Sequence, residues 1–184
     1  MGTVFPGTAI ETKTIEKGGS RTLFDGIFAA GGITLSQVSI MTGLEPYIIQ
    51  NWVKRGFLSS PQKRMYSKNQ FARVIIINML HESLSLDSIC KLLSYINNTL
   101  SDESDDMIGD SELYHIYIDM LSLNGGVVVD EDRIKMLAQE VTKGFVEKAS
   151  GDRKRLIKVL QVMAHAHYAC ISRKKAEELL SCLQ

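Results

Sequence analysis

The side chains in this chain that are best suited to contact a nucleic acid follow one proline within ten positions. They are an aromatic residue, two amides and two cations: Tyr47, Gln50, Asn51, Lys54 and Arg55. Gln and Asn make paired hydrogen bonds to adenine in the major groove, whereas Lys and Arg bind phosphate or guanine. Tyr47 either contacts a thymine methyl group or a sugar, or covers the preceding turn. The alternative for the whole set is the hydrated side of an ordinary surface helix.

A second group of candidate residues follows in a basic loop between two apolar pairs. The pairs lie at 57–58 and 65–66, a pattern typical of a small β-hairpin. Lys63 and Arg64 are then predicted at its tip, where phosphate contacts position a protein without reading sequence. An ordinary charged loop is the alternative. Tyr66 either donates its hydroxyl to a phosphate or packs its ring in the core.

The first group needs a helix that begins at Pro46, where the missing N–H of proline costs nothing. Ile49 and Trp52 share the opposite side of this helix at helical spacing, so we predict that both enter the core. Thr34 is a suitable N-cap for a preceding short helix, and Gly43 permits a tight turn between the two. The segment therefore predicts two helices joined by a turn, the second with an apolar side and a polar side.

Further helices are predicted on both sides of this pair. Ser67 and Gln70 form a capping-box pattern before the apolar run at 71–80, which favours a helix although its Val-Ile-Ile-Ile stretch alone is typical of a strand. Ser85 is the predicted cap of the next helix. Residues 1–32 predict an extended arm followed by one short apolar helix near 22–30.

The C-terminal half is predicted to form a separate helical unit. The acidic run at 101–106, within a linker at 98–111, is the strongest candidate for a domain boundary. Helical patterns follow at about 111–123, 131–149, 152–170 and 173–183, with Asp130, Asp152 and Ser172 as predicted N-caps. We therefore divide the chain into an arm at 1–32, a head at 33–97, the linker, and a helical unit at 112–184.

Charge is distributed unevenly along the chain, although the formal net charge is zero. Residues 33–96 contain seven Lys and Arg against three Asp and Glu, a balance that fits nucleic-acid binding. Scattered cysteines, the lack of a signal-peptide pattern and the lack of a long apolar run predict a cytoplasmic protein without a membrane segment. No cofactor motif, metal-ligand spacing or catalytic constellation is visible in the sequence, so we do not expect an enzyme.

The order of these features resembles the MerR family of winged helix-turn-helix regulators over residues 33–96. The matching motifs are Thr-Gly-Leu at 42–44, proline at 46, Gly-Phe-Leu at 56–58, Arg-Met-Tyr-Ser at 64–67 and Ser-Leu-Asp-Ser-Ile at 85–89. The chain departs from the family at 50–53, where Gln-Asn-Trp-Val replaces a segment with a phosphate-binding arginine. It also resembles a bacterial domain family of unknown function that has a MerR-like head.

The resemblance implies a winged helix-turn-helix head that contains a short β-hairpin. With the helical patterns that follow the head, the expected fold is mainly α, with an all-α helical domain after the head. It implies a transcriptional regulator that binds double-stranded DNA, with the helix from Pro46 in the major groove and the hairpin on the phosphate backbone. The C-terminal domain is then expected to form a homodimer, to bind a small-molecule effector, or both. The alternative is an adaptor that uses the same fold to bind another protein.

Overall fold

The computed structural model describes residues 3–97, 106–125 and 128–183. Within these residues the chain forms eight helices and two small antiparallel sheets. The helices are α1 (Gly19–Ile27), α2 (Leu35–Thr42), α3 (Pro46–Lys54), α4 (Lys68–Leu80), α5 (Leu86–Ser94), α6 (Asp110–Ser122), α7 (Glu131–Val141) and α8 (Asp152–Ser181). The strands are β1 (Thr3–Val4) paired with β2 (Glu11–Thr12), and β3 (Ile33–Thr34) paired with β4 (Met65–Tyr66). The predicted fold class, mainly α with a short hairpin, is confirmed.

Helix α4 lies at the centre of the fold and packs against α2, α5, α6 and α8. The predicted capping box is present, because Ser67 Oγ accepts the N–H of Gln70 at 3.2 Å and Gln70 Oε1 accepts the N–H of Ser67 at 2.9 Å. Every residue from 70 to 80 except Asn78 is buried. A helix that is apolar on all sides must be surrounded by protein. Burial on every side therefore explains why a run of β-branched residues is helical here.

The head and the C-terminal helices share one hydrophobic core. Buried side chains from Phe5 to Tyr168 form a single cluster. A buried ion pair crosses between α4 and α6, where Arg73 Nε donates to Asp110 Oδ2 at 2.7 Å. The acidic segment at 98–105 lies outside the described residues, so the boundary predicted there stays a prediction. Helix α4, which precedes this segment, packs directly on α6 and α8, which follow it.

The N-terminal segment is attached to the head by backbone and side-chain hydrogen bonds. Ala9 donates its N–H to the carbonyl of Met41 at 2.8 Å, and Tyr114 donates its hydroxyl to the carbonyl of Pro6 at 2.9 Å. The predicted apolar helix is present as α1, but it spans Gly19–Ile27 instead of 22–30. Its Phe24 packs in the core against aromatic residues of α4 and α6. Residues 3–27 thus pack on the head and on α6 rather than extending away from them.

The predicted end of α7 was wrong, because the helix stops at residue 141 instead of 149. Arg153 donates to the carbonyls of Thr142 and Gln139 at 2.9 and 3.0 Å. These hydrogen bonds satisfy carbonyl groups that a continuing helix would use. The cap is supplied from the next helix in the chain, which the local pattern does not reveal.

Helix α8 is continuous where two helices were predicted. Ser172 was predicted as an N-cap, but it lies inside one helix of 30 residues. No glycine or proline interrupts residues 152–181, and strong helix-forming residues follow Ser172. The N-cap of α8 is Gly151, not the predicted Asp152. Asp152 occupies the first helical position, where its carboxylate accepts the N–H of Ala149 at 2.8 Å.

The predicted cap Asp130 is confirmed for α7, since its carboxylate accepts the N–H of Arg133 at 2.8 Å.

Two histidines, His115 in the core and the half-buried His167, lead us to expect that the fold loses stability in mild acid. Burial lowers the pKa of His115 and of His167 to about 4, below the ordinary value of 6.5. Between pH 6.5 and 4 the unfolded chain therefore binds protons that the folded chain does not. The stabilisation is complete above pH 6.5 and is lost as the pH falls towards 4. Urea titrations should show the free energy of unfolding falling by about 2 kcal/mol per histidine between pH 6.5 and 4.5.

The double variant His115→Gln, His167→Gln should flatten this dependence. Carboxylates contribute mainly below this window. An equally steep decline in the double variant would contradict the assignment.

Candidate nucleic-acid interface

The pair formed by α2 and α3 places the candidate side chains. Thr34 caps α2 with a capping box, accepting the N–H of Gln37 at 3.4 Å while its own N–H donates to Gln37 Oε1 at 2.8 Å. Gly43 ends α2 with a φ of 71°, a left-handed conformation that glycine adopts without steric cost. Pro46 then opens α3 as predicted. Val38 and Ile49 are fully buried, so the two helices pack through their apolar sides.

Helix α3 presents its polar side chains to solvent. Ile49 and Trp52 are buried, which confirms that the single tryptophan belongs to the core. We define the polar face of α3 as four exposed residues at i, i+3, i+4 and i+7: Tyr47, Gln50, Asn51 and Lys54. This spacing puts all four on one side of a helix with 3.6 residues per turn. The residues predicted to contact DNA therefore form one continuous surface.

Arg55 extends this surface at the end of α3. It is exposed and occupies the C-cap, and its guanidinium carbon lies 4.6 Å from the centre of the Phe57 ring. Stacking on an aromatic face holds an arginine without neutralising its charge. The arrangement keeps a full positive charge at the end of the polar face.

A tight turn at residues 62–65 carries the second group, and we call it the basic turn. Met65 donates its N–H to the carbonyl of Gln62 at 2.8 Å. Lys63 and Arg64 have φ values of 49° and 64°, and both are exposed. Positive φ at both central positions is the pattern of a type I′ turn, which favours Asn-Gly. Residues with large side chains are uncommon in this conformation, and each costs on the order of 1–3 kcal/mol there.

The prediction of which segment pairs with residues 65–66 was wrong. The tip of the hairpin was predicted correctly at Lys63 and Arg64. The pair 65–66 forms β4, which aligns with β3 in the register Ile33 to Tyr66 and Thr34 to Met65. Phe57 and Leu58 are both buried instead of forming a strand. Consecutive side chains of a strand point to opposite faces, so two adjacent buried residues suit an irregular segment over the core. The basic turn is consequently anchored to the start of α2.

The basic turn and the polar face of α3 meet at a cleft of about 340 Å³. Its lining includes Gln50 from α3 and Arg64 from the turn, together with Leu35, Val53, Pro61 and Tyr66. Tyr66 is only 3% exposed, and burial raises its pKa above the usual value. The ring of Tyr66 is therefore part of the core, as the packing alternative stated, and forms the floor between the two groups rather than part of the exposed set.

The charge of this surface is not neutralised by neighbouring carboxylates. Between residues 33 and 81 the sequence holds six Lys and Arg but only one acidic residue, Glu45. Lys68 and Arg73 pair with Asp25 and Asp110, at 2.8 and 2.7 Å. Among the described residues, no ion pair involves the remaining four: Lys54, Arg55, Lys63 and Arg64. The folded head thus concentrates four unpaired cations on α3 and the basic turn.

The strain of the basic turn is the feature that sequence reasoning missed. A Lys-Arg pair carries no signal for a type I′ turn, since that turn is recognised by Asn, Asp or Gly. Residues that break a local rule in a folded protein are often retained for function. Two cations held in a costly conformation at an exposed tip are consistent with contact to an anionic partner.

One known protein family matches the part of the chain that contains this candidate interface. Residues 33–117 match a domain of unknown function, DUF1836. No curated protein and no solved structure matches the chain. The DUF1836 match begins at β3 and ends within α6, so it contains the polar face, the basic turn and the buried ion pair between α4 and α6. None of the described helices combines the length and the apolar character required to span a bilayer.

Replacing Lys63 and Arg64 by Asn and Gly should stabilise the protein while removing two charges. Asn-Gly suits positive φ at both positions, so we expect the free energy of unfolding to rise by about 1–2 kcal/mol. Urea unfolding measures this change. The matched variant Lys63→Ala, Arg64→Ala removes the same charges without relieving the backbone, and it should not be stabilised. Equal stabilities of the two variants would show that the turn is not strained.

Proposed function

We propose that this protein is a sequence-specific DNA-binding transcriptional regulator with a MerR-like head. In this proposal α3 enters the major groove of double-stranded DNA, and the basic turn lies on the phosphate backbone beside it. Gln50 and Asn51 read base edges, because a carboxamide matches the donor and acceptor pair of adenine. Lys54 and Arg55 bind phosphate or guanine at the end of the same helix.

The observation that carries the proposal is that the exposed side chains of α3 and of the basic turn, whose cations are in no ion pair among the described residues, meet at one surface. Gln50 and Arg64 line the same cleft. Amides that read bases and cations that hold the backbone must lie side by side, since base edges and phosphates are neighbours at a groove. The four unpaired cations supply the attraction that dominates affinity for DNA.

A single short helix reads only a few base pairs, so useful affinity calls for two copies on paired half-sites. The C-terminal helices would then hold the dimer, bind a small-molecule effector, or both. Two of these helices, α6 and α8, pack directly on α4. A change in their arrangement would therefore reach the head without a flexible connection.

Selection of bound fragments from sheared genomic DNA by the purified protein tests the proposal. The selection is run at two salt concentrations, because contacts with phosphates weaken steeply as salt rises. Recovery of an enriched motif, and of an inverted repeat in particular, is the expected result. The selection is also run with an extract of the cells added to the folded protein. If no sequence is enriched at low salt, the proposal is overturned.

Gln50→Ala should weaken binding to a preferred site far more than binding to random DNA. Loss of a paired contact to one base costs about 1–3 kcal/mol of discrimination, or roughly a factor of 5 to 150. Arg64→Ala should weaken binding to both DNAs about equally, because a phosphate contact carries no sequence information. Fluorescence anisotropy with a selected site and a scrambled duplex measures both. Equal losses for Gln50→Ala on the two duplexes would remove Gln50 from base reading.

A second candidate function is an adaptor that binds another protein through the same face. It is favoured by two large hydrophobic side chains that the helix pair exposes, Ile40 of α2 and Tyr47 of α3, which are 73% and 68% exposed. Exposed apolar surface is available for contact with another protein. The dependence of affinity on salt separates the two functions, since packing between proteins predicts a shallow slope and DNA binding a steep one.

A further inference from the structure

A cavity of about 480 Å³ lies between the N-terminal segment and helices α2, α4, α6 and α8. Its walls are largely apolar and include Val4 and Ile15 from the segment, Met79 of α4 and Leu121 of α6. Apolar cavities of about 300–1,000 Å³ that contain a few polar groups are the usual sites for small molecules in proteins. The cavity shares no lining residue with the cleft between α3 and the basic turn, so it is a separate feature of the molecule.

The N-terminal segment closes one side of the cavity because it lies tightly against α4. Gly7 has a φ of 76°, and a Cβ atom at this position would lie only 2.3 Å from the carbonyl oxygen of Ile75. Asn78 donates its two amide hydrogens to the carbonyls of Gly7 and Thr42, both at 3.1 Å. All of these residues except Ile75 line the cavity. The same contacts thus hold the segment in place and join it to the end of α2.

His167 offers one hydrogen-bond donor to the cavity. Its Nδ1 lies 2.8 Å from the hydroxyl of Tyr117, which is fully buried and has no other hydrogen-bond partner among the described residues. Burial holds the pKa of Tyr117 well above its ordinary value, and a buried hydroxyl that does not donate is costly, so Tyr117 donates to Nδ1. Burial also keeps His167 neutral, with a pKa of about 4. A neutral imidazole that accepts at Nδ1 carries its hydrogen on Nε2, which remains available to a ligand.

Asn78 offers one acceptor. Both of its amide hydrogens are used by backbone carbonyls, and its Oδ1 accepts no hydrogen bond from the described residues. What this side chain has left for a ligand is therefore the amide oxygen. The cavity thus combines apolar walls with one donor, on α8, and one acceptor, on α4.

The charges of the cavity favour a neutral occupant. The charged residues in its lining are Glu82 and Lys174, and Lys174 Nζ lies 3.4 Å from Glu82 Oε2. The same carboxylate oxygen also pairs with Arg173 at 2.8 Å. A charged ligand would lose its hydration on entry and would have to compete with these ion pairs for a counter-charge. A neutral ligand avoids this cost.

We propose that this cavity binds a small neutral organic molecule that has an apolar body and a carbonyl group, with the carbonyl accepting the Nε2–H of His167. The proposal gives a site and a ligand class to the small-molecule effector of the proposed function, and any link to DNA binding rests on that function. Most of the lining, including all that comes from residues 3–15 and from α8, lies outside the DUF1836 match at 33–117. Binding is measured without DNA, so a failure of this proposal and a failure of DNA binding are separate results.

Fluorescence titration of the full chain with prodan tests the proposal. Prodan is a neutral naphthalene that carries a ketone, and its emission moves to shorter wavelength when it leaves water. We expect saturable binding with a dissociation constant on the order of 100 μM or below. The anionic probe 1-anilinonaphthalene-8-sulfonate has a similar apolar body and should bind about tenfold more weakly or worse. A lack of saturable prodan binding would overturn the proposal, and tighter binding of the anion would overturn the ligand class.

Two glycine variants test whether the N-terminal segment forms part of the site. Gly7→Ala should raise the dissociation constant of prodan roughly tenfold, because the new Cβ displaces the segment from α4 and removes one apolar wall. Gly18→Ala is the matched control, since Gly18 has a nearly equal φ of 78° but open space within 4 Å. Both variants strain the backbone, and only one moves the segment. Equal affinities of the two variants would place the probe outside this cavity.

A bulky side chain on the opposite wall tests the location without disturbing the segment. Ile171 lines the cavity from α8, whereas Val162 lies on the same helix outside the lining. They are 36% and 42% exposed, so both Ile171→Trp and Val162→Trp should retain the helical circular dichroism of the wild type. Ile171→Trp should weaken prodan binding roughly tenfold by occupying the cavity, and Val162→Trp should not. Unchanged binding in Ile171→Trp would overturn the site.

The hydrogen bond from His167 has a spectroscopic test. The double variant Tyr117→Phe, His167→Phe should weaken prodan binding about fivefold and move the emission of bound prodan to shorter wavelength, because the ketone loses its donor. Replacing both residues leaves no buried hydroxyl without a partner. Tyr117→Phe alone keeps the imidazole and should change neither quantity. An unchanged emission wavelength in the double variant would show that His167 does not bind the carbonyl.

Discussion

The affinity for DNA at 0.1 M salt should fall roughly a thousandfold when four cations are replaced together by alanine. The variant is Lys54→Ala, Arg55→Ala, Lys63→Ala, Arg64→Ala. Release of counterions makes each phosphate contact worth about a factor of ten at that concentration, and three or four contacts are removed together. The slope of log affinity against log salt should become shallower by about 3 to 4. Anisotropy titrations at several salt concentrations measure both quantities. All four side chains are exposed and unpaired among the described residues, so the fold should be unaffected.

A matched variant with the same change in net charge is available elsewhere on the surface. Lys13, Lys17, Lys135 and Lys158 are exposed and make no ion pair with the described residues. Their replacement by alanine should change affinity only through the general field of the protein, by less than about tenfold. If both fourfold variants lose affinity equally, α3 and the basic turn do not form the docking face. If neither loses affinity, DNA is not bound through charge, and the adaptor function gains support.

Arg73→Ala should lower the free energy of unfolding by about 3–5 kcal/mol, because removal of one member of a buried ion pair leaves the other charge in the core. The guanidinium and the carboxylate of Asp110 have side chains only 9% and 10% exposed. They connect the central helix to α6, at the main contact between the head and the C-terminal helices. A fall of about 10 °C in the melting temperature corresponds to this loss in a chain of this size. Urea and thermal unfolding measure it.

Lys68→Ala is the control, since Lys68 lies on the same helix and pairs with Asp25, but both side chains are largely exposed. Its cost should stay below about 1 kcal/mol. The double variant Arg73→Met, Asp110→Leu should recover most of the loss, because apolar side chains of similar size often replace a buried ion pair without penalty. An Arg73→Ala variant as stable as Lys68→Ala would mean that the buried pair does not hold α4 and α6 together.

The features that could be predicted from the sequence are those governed by neighbours in the chain. Hydrogen bonds of the capping boxes at Thr34 and Ser67 span three residues, so the residue types alone reveal them. The two sides of α3 follow from helical periodicity, which alone places Trp52 in the core and Gln50 in solvent, as the structure has them. Pro46 at the first helical position is equally local.

Predictions failed where distant residues compete with a local pattern. β4 pairs with β3 instead of with the nearby apolar pair at 57–58. In this register Met65 aligns with Thr34, 31 residues earlier, and Tyr66 aligns with Ile33, 33 residues earlier. Arg153 ends α7 from the following helix. In each case the decisive partner became available only when the chain had folded, so no window of sequence contained the information.

The sequence by itself determined which side of α3 faces water and that residues 33–96 are rich in cations. Only the tertiary structure decided which of those cations remain unpaired. Lys68 and Arg73 are paired by carboxylates 43 and 37 positions away, whereas Lys63 and Arg64 are held apart from acidic groups on a turn with positive φ. Amphipathic periodicity is a short-range property, fixed by the 3.6-residue repeat of the helix. Charge pairing depends on distances in space, which the fold sets.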